Sequence, residues 1–197
     1  MVKLISWILG NKRILNELSL EITNTIEEIN ELKTIISDYH NIERKDRKSK
    51  LSVLAAIHAK NIEIYNDASK ELSKKHSSQN SSLRKIAYLL ERNSSIVNSI
   101  GSNLAVFGIE RIDEGIQKLL DALIKIENAK ISLIKDRKNA KLDQIISDSQ
   151  NALNDSLADL FHYHKNPIDL VKYLEIYRLF SKFLENSSQI SLEIQLI

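Results

Sequence analysis

The scarcity of turn-forming residues is the strongest constraint on how this chain folds. Its 197 residues include one proline, Pro167, and four glycines, Gly10, Gly101, Gly108 and Gly115. All-β sandwiches and doubly wound α/β folds need frequent Gly- and Pro-containing turns, so both are disfavoured. Charged residues make up 27% of the chain, which suits long helices that carry one apolar stripe. The composition therefore predicts an all-α fold.

Apolar residues recur at helical spacing along most of the chain. The first series predicts a helix over about residues 12–38; its members are Leu15, Leu18, Ile22, Ile26, Ile29, Leu32 and Ile36. A second series starts at Leu51 and resumes at Leu83, after a polar segment that contains no glycine or proline. Because such a segment need not end a helix, we expect one rod over about residues 44–100. Shorter helices are predicted over about residues 111–138, 141–162 and 167–186.

Local signals mark several helix ends. Gly101 and Gly108 fall near expected C-termini, where glycine favours a left-handed cap. Asn166 precedes Pro167, and proline suits the first position of a helix. Residues 189–197 alternate between apolar and polar side chains, which is typical of a strand. A single strand would need the sheet of a partner protein, so we favour a helix or a frayed end there.

The residue types that catalysis and metal binding need do not occur in recognised patterns. The chain has no cysteine, which excludes disulfides, thiol catalysis and Cys-ligated zinc, and its glycines lack the spacing of a phosphate-binding loop. A di-metal helical site needs two Glu-x-x-His pairs, and only Asp159 and His162 approach this pattern. Glu27 and Glu28 are interpreted as solvated charges on an exposed helix face. We therefore predict a non-enzymatic protein with no cofactor, no metal and no small-molecule substrate.

Positive charge is concentrated in one part of the chain, although the net charge is only +2. Residues 44–85 contain eleven Lys/Arg against four Asp/Glu, whereas residues 101–197 contain twelve against fourteen. A basic stretch attracts phosphates, whether of nucleic acids or of lipid headgroups. Only Tyr65 and Tyr88 lie in or near it, so it has few aromatic side chains for stacking on single-stranded nucleic acid. A solvated helix face without a partner is the alternative interpretation.

Residues 1–13, MVKLISWILGNKR, combine large apolar side chains with three positive charges. On a helix they give an apolar face bordered by a tryptophan and followed by cations, which is typical of a short helix at a membrane interface. The predicted membrane-inserting residues are Met1, Leu4, Ile5, Trp7, Ile8 and Leu9. The predicted contacts with anionic lipid headgroups are Lys3, Lys12, Arg13, Arg44, Lys45, Arg47, Lys48 and Lys50. Packing of this segment on the helical core is the alternative.

This layout resembles the ESCRT-III family, most closely its archaeal cell-division (CdvB-type) members. The closest local similarity is residues 55–100, AAIHAKNIEIYNDASKELSKKHSSQNSSLRKIAYLLERNSSIVNSI. Ile64-Tyr65 and the apolar series from Leu83 to Leu90 are spaced like residues of that family's second helix. The resemblance covers about residues 1–160. It implies a helical hairpin with a very long second helix and shorter C-terminal helices.

With this resemblance, the chain divides into an amphipathic segment (1–10), a helical core (11–165) and a C-terminal helix and tail (166–197). A hinge between closed and open forms is predicted at Ser77, Ser78, Gln79, Asn80 and Ser81. The family departs from this chain in its first helix, which is usually basic; residues 14–38 here contain one lysine against six acids.

The resemblance implies a cytoplasmic protein, peripheral at the inner face of the membrane, that polymerises with itself or with paralogues. Its filaments would remodel membranes during cell division, budding or scission. Residues 186–197 contain no recognisable ATPase-binding motif, so an AAA-type ATPase would act through partner subunits. Two alternatives remain: a soluble helical-bundle regulator or adaptor of the PhoU-like kind, whose repeated acidic metal motifs are not evident here, and a basic helical nucleic-acid binder.

Overall fold

The computed structural model describes residues 2–37, 44–73, 78–109, 112–136, 141–163 and 166–197, with side chains for 12–37, 46–73, 80–109, 112–135, 141–162 and 166–197. These residues form six α-helices and no β-strand. The helices are α1 (Val2–Ser37), α2 (Arg44–Ser73), α3 (Ser78–Val106), α4 (Glu114–Asp136), α5 (Leu142–Tyr163) and α6 (Pro167–Gln195). The all-α prediction is confirmed.

The helices form two consecutive three-helix units. In the first unit α1, α2 and α3 all pack on one another, and in the second unit α4, α5 and α6 do the same. The units meet where α1 packs on α4 and where α3 packs on α6. Thus α1, α3, α4 and α6 surround the central core, while α2 and α5 lie on opposite flanks.

Side-chain contacts give the helix directions. Asn61 of α2 lies beside Thr25 of α1, while Glu71, farther along α2, lies 3.4 Å from Arg13. These two helices are therefore antiparallel. Corresponding pairs show that α3 is antiparallel to α6, through Asn93 with Asn186 and Lys85 with Glu193. Successive helices run up and down, so the described parts of the bundle have two ends, each built from six helix termini.

The predicted very long second helix is wrong. That region forms two helices of 30 and 29 residues, similar in length to the others, and the chain reverses between Ser73 and Ser78. Leu54 of α2 packs against Gly101 of α3, and Asn61 donates a hydrogen bond to Ser94. Both helices carry an apolar stripe, and a straight rod would leave much of both stripes in water. Folding back buries both, and each large apolar side chain buried contributes about 1.5–3 kcal/mol.

Other helix boundaries agree with the predictions more closely. The first helix extends to Val2 instead of beginning near residue 12, and α4 and α5 match their predicted ranges within three residues. Asn166 caps α6, because its side-chain oxygen accepts a hydrogen bond from the Ile168 N–H, and Pro167 occupies the first helical position. Gly108 has φ = 59°, as a left-handed cap requires.

Two predictions about helix ends need correction or refinement. Gly101 is not at a helix end but inside α3, where a Cβ atom would lie 2.7 Å from a Leu54 methyl carbon; glycine is there for close helix packing. The last residues continue α6 to Gln195, past its predicted end near residue 186, so this segment is a helix and not a strand or a frayed end. Ile190 and Ile194 are buried in the bundle, whereas Leu192 is exposed, so the alternation coincides with a helix that has one buried face.

Candidate functional site

The beginning of α1 extends past the last described turn of α2. Thr25 is level with Asn61, and Arg13 is level with Glu71. The same antiparallel register places Ser73, where α2 ends, level with about residue 12 of α1. At about 1.5 Å per residue, the helix continues to Val2 for roughly 15 Å beyond that level. The sequence of this extension is the predicted membrane-contact segment.

The predicted membrane-contact residues fall in and next to this extension. Met1 lies outside the described residues. The backbone of Lys3, Leu4, Ile5, Trp7, Ile8 and Leu9 is helical, and their side chains are outside the described part. Lys12 and Arg13 are exposed, and Arg13 Nε donates a hydrogen bond of 2.9 Å to Glu17.

The predicted lipid-contacting cations of α2 lie at the other end of the bundle. Arg44 and Lys45 belong to the first turn of α2, with side chains outside the described part, while Lys48 is exposed and Arg47 and Lys50 are half-buried. Because α1 and α2 are antiparallel, this turn is close to the end of α1. It is separated from Lys12 by about 38 Å of helix. The structure therefore does not bring the two groups of cations together.

The predicted hinge adjoins the reversal between α2 and α3. Ser77 lies outside the described residues. Ser78, Gln79, Asn80 and Ser81 form the first turn of α3, in which Asn80 is buried and Ser81 is exposed. The hinge stays a prediction.

A layer of polar side chains crosses the middle of the bundle, and sequence reasoning did not anticipate it. We define the polar layer as Glu21, Thr25, Glu28, His58, Asn61, Asn93, Ser94, Glu127, Lys130, Asn186 and Ser187. All of them are buried except His58 and Asn186, which are half-buried. Five of the six described helices contribute, and apolar core lies on both sides of the layer.

In the first three-helix unit, the polar layer is centred on Glu28. Ser94 Oγ donates a 2.7 Å hydrogen bond to Glu28 Oε1, and Asn61 Nδ2 lies 3.0 Å from Ser94 Oγ and 3.4 Å from Glu28 Oε1. The His58 ring is 2.7 Å from Ser94 Oγ. One carboxylate thus links α1, α2 and α3 through short polar contacts.

In the second unit, the polar layer contains a fully buried ion pair. Lys130 Nζ donates a 2.6 Å hydrogen bond to Glu127 Oε1, and both side chains have no exposed surface. Lys130 also lies 5.0 Å from the centre of the Phe183 ring, a cation–π distance. Asn93 connects this region to α6, since it donates to Ser187 and accepts from Asn186.

Several carboxylate oxygens of the polar layer find no hydrogen-bond partner in the described residues. They are both oxygens of Glu21 and one each of Glu28 and Glu127. Burial opposes the charged form, so it raises the pKa of Glu28 to about 8 and the pKa values of Glu21 and Glu127 above their ordinary range. Burial likewise lowers the pKa of Lys130, which the adjacent Glu127 partly counteracts. A pKa of about 8 means that Glu28 can take up and release a proton near neutral pH.

The polar layer also corrects the sequence interpretation of individual residues. Glu27 is exposed as expected, but Glu28 is fully buried, so the prediction of two solvated carboxylates is wrong for Glu28. On α2, Ile62 was expected in the apolar stripe but is 39% exposed, and Asn61 is buried in its place. The available signal was the spacing of Glu21 and Glu28, seven residues apart and next to Ile22 and Ile29 of the apolar stripe.

The part of the chain that the structure describes shows no group of three or more His, Asp or Glu side chains arranged to hold a metal ion. Within the same ranges, no helix combines the length and apolar character needed to cross a bilayer. Comparisons with protein-family models and with curated proteins give no match to this sequence. The resemblance to ESCRT-III proteins therefore depends on sequence pattern and layout alone.

Proposed function

We propose that this chain is a non-enzymatic helical-bundle adaptor that attaches to the inner, cytoplasmic face of an anionic membrane through residues 1–13. The observation that carries the proposal is the extension of α1 past the end of α2. The extension has the sequence of an interfacial helix, with large apolar residues, one tryptophan and flanking cations. In an adaptor, the remaining surface of the bundle is available to partner proteins.

The arrangement of the helices supports an adaptor more than an enzyme. Two three-helix units pack side by side and enclose a continuous core, an arrangement compatible with the PhoU-like alternative. The acidic side chains of the polar layer are buried away from solvent. Catalysis would require such groups to touch a bound molecule.

Fluorescence of Trp7 tests the membrane attachment directly, because the chain contains one tryptophan. We expect a blue shift when vesicles containing phosphatidylserine are added, and no shift with vesicles of phosphatidylcholine alone. Burying a charge at the interface should weaken this binding, so L9D should reduce it at least tenfold. The matched control is L20D, the same substitution at an exposed leucine farther along α1. A spectrum that is blue without lipid and does not respond to either vesicle would contradict the proposal.

A membrane-remodelling filament subunit is the second candidate, and the position of the α2–α3 reversal favours it. The reversal adjoins the predicted hinge, and straightening there would join α2 and α3 into one helix of about 90 Å. Apolar faces that are now buried between the two helices would then be available to neighbouring copies of the chain. If the contact between successive copies does not close into a ring, it propagates as a filament. Disassembly by an AAA-type ATPase through partner subunits remains a prediction of this candidate.

A reversible crosslink distinguishes the two candidates. Because the chain has no cysteine, N61C with S94C would place one thiol pair between α2 and α3, where the native side chains are 3.0 Å apart. If opening is required, the oxidised protein should form no filaments on phosphatidylserine vesicles in electron micrographs, and the reduced protein should form them. Filaments from the oxidised protein, or none from the reduced and the unmodified protein, would exclude the filament candidate in this form.

A further inference from the structure

One end of the bundle is much more basic than the other. We define the basic end as the described side chains in 12–16, 70–73, 80–86, 132–135, 141–144 and 191–197. It contains seven Lys/Arg against three Asp/Glu, a net +4: Lys12, Arg13, Lys70, Arg84, Lys85, Lys135 and Lys141 against Glu71, Asp143 and Glu193.

The opposite end is nearly neutral. Its described side chains, in 34–37, 46–50, 103–109, 112–116, 159–162 and 166–172, include four Lys/Arg against five Asp/Glu, a net −1. The cations of the first turns of α2 are thus balanced by acids from α4, α5 and α6. The basic stretch of residues 44–85, which is continuous in the sequence, is therefore divided between the two ends of the bundle. Only its cations at the basic end lie on a surface with a net positive charge.

Both ends of the bundle expose large apolar side chains, but only at the basic end do these accompany a net positive charge. Leu192 and Leu196 are 60% and 69% exposed, and their spacing of four residues places them on the same face of α6. The extension of α1, residues 2–10, projects at this same end. Cations beside exposed apolar groups fit an anionic lipid surface, which offers both phosphates and hydrocarbon, better than they fit a nucleic acid, which offers mainly phosphates.

We propose that the basic end is the docking surface for an anionic phospholipid bilayer, so that the bundle stands upright with its helix axes steep to the membrane plane. This inference rests on the proposed function and adds the orientation and the additional contacts Leu192, Leu196, Lys135 and Lys141. In this orientation the first turn of α2 is about 38 Å from the lipid and does not contact it. The polar contacts are with lipid phosphates, and the neutral end is presented to the cytoplasm.

Charge reversal at the two ends tests the orientation. The end variant is K135E with K141E, and the matched control is K48E with K118E; all four lysines are exposed. A cation near an anionic surface contributes about 1 kcal/mol, so the end variant should bind phosphatidylserine vesicles at least about 30-fold more weakly. The control should bind within about twofold of the unmodified chain. Thermal unfolding followed by circular dichroism checks that both variants remain folded.

The outcomes separate this inference from the proposed function. If the unmodified chain does not bind vesicles, both fail. If it binds and the control loses as much affinity as the end variant, the bundle lies flat, and the upright orientation is overturned while membrane attachment stands. Tighter binding to duplex DNA than to vesicles, with the same loss in the end variant, would also overturn the inference and identify the basic end as a nucleic-acid surface.

Site-specific labels provide a second measurement that does not depend on charge. The chain has no cysteine, so L196C and V106C each carry a single fluorescent label, one at the basic end and one at the opposite end. Both native side chains are exposed, at 69% and 79%. We expect lipids with a quencher in the acyl chain to quench the label at position 196 and not the label at position 106. Equal quenching of both labels would overturn the upright orientation.

Discussion

The polar layer and the apolar core on either side of it hold the same helices together in different ways. Phe180 and Leu123 are fully buried apolar side chains with no polar group of their own to satisfy, so their burial contributes stability directly. Around Glu21 and Glu127, the same degree of burial removes charged groups from water and leaves carboxylate oxygens without partners. The comparison teaches that the same degree of burial stabilises the folded protein in the apolar core and destabilises it in the neighbouring polar layer.

The largest effect is expected from removing the buried cation. K130M leaves the carboxylates of Glu127 and Glu21 without a compensating charge, so at pH 8 the free energy of unfolding should fall by about 3–5 kcal/mol. At pH 5 the loss should be smaller, because carboxyl groups with raised pKa values are protonated to a larger extent at the lower pH. Urea denaturation measures both values. The control is K125M, at an exposed position of the same helix; an equal loss at both pH values would contradict the charge argument.

The next effect is a pH dependence of stability centred on Glu28. Its pKa is about 8 in the folded protein and 4.5 as its ordinary value, so the folded state binds the proton more tightly. Stability from this group is complete below pH 4.5 and is lost as the pH rises towards 8. Glu21 and Glu127, whose pKa values are also raised, act in the same direction. His58 acts in the opposite direction: its pKa is lowered, so its contribution to the stability of the protein is lost as the pH falls.

The glutamine variant isolates the contribution of Glu28 to this pH dependence. E28Q keeps the shape but does not titrate, so the decrease in unfolding free energy between pH 5 and pH 8 should become smaller by a few kcal/mol. The matched control is E27Q, one residue away on the exposed face. Parallel urea-denaturation series at several pH values provide the measurement. If E27Q flattens the pH dependence as much as E28Q, buried Glu28 is not its source.

The smallest effect expected is a gain in stability. Neither oxygen of Glu21 has a described hydrogen-bond partner, and Glu127 still pairs with Lys130 when Glu21 is removed. E21L should therefore raise the free energy of unfolding at pH 8 by roughly 1–3 kcal/mol. E27L, on the exposed face, should change it by less than about 0.5 kcal/mol. A loss of stability in E21L would show that the polar layer is a net stabilising element and would break the comparison.

The sequence was sufficient for much of the fold because helical periodicity is a local property. The stripe from Leu18 to Leu32, the Asn166–Pro167 start of α6 and the left-handed Gly108 can all be read from neighbouring residues. The reversal after Ser73 could not. The segment there has no helix breaker, and whether it continues or turns depends on the burial of apolar faces that only the folded chain brings together.

The polar layer could not be predicted for a related reason. Glu28 and Glu27 are the same residue type, one position apart, and only the packing of α2 and α3 against α1 decides which is buried. Asn61 and Ile62 raise the same ambiguity on α2, where a shift of one position exchanges a polar for an apolar side chain. Helical periodicity identifies which face of a helix is buried, but it does not fix which residues at the two borders of that face are buried. The polar layer is built from such border residues.

The polar layer also limits how the helices can slide along one another. Apolar side chains pack against many neighbours nearly as well after a shift of one or two turns. Asn61, by contrast, donates a 3.0 Å hydrogen bond to Ser94 of α3 in the observed alignment, and a shift of α2 by one turn relative to α3 would break this bond. A buried polar residue fixes register in this way in coiled coils, at a cost in stability. The polar contacts of the layer therefore favour one register of the helices that contribute to it, which the apolar core by itself specifies less strictly.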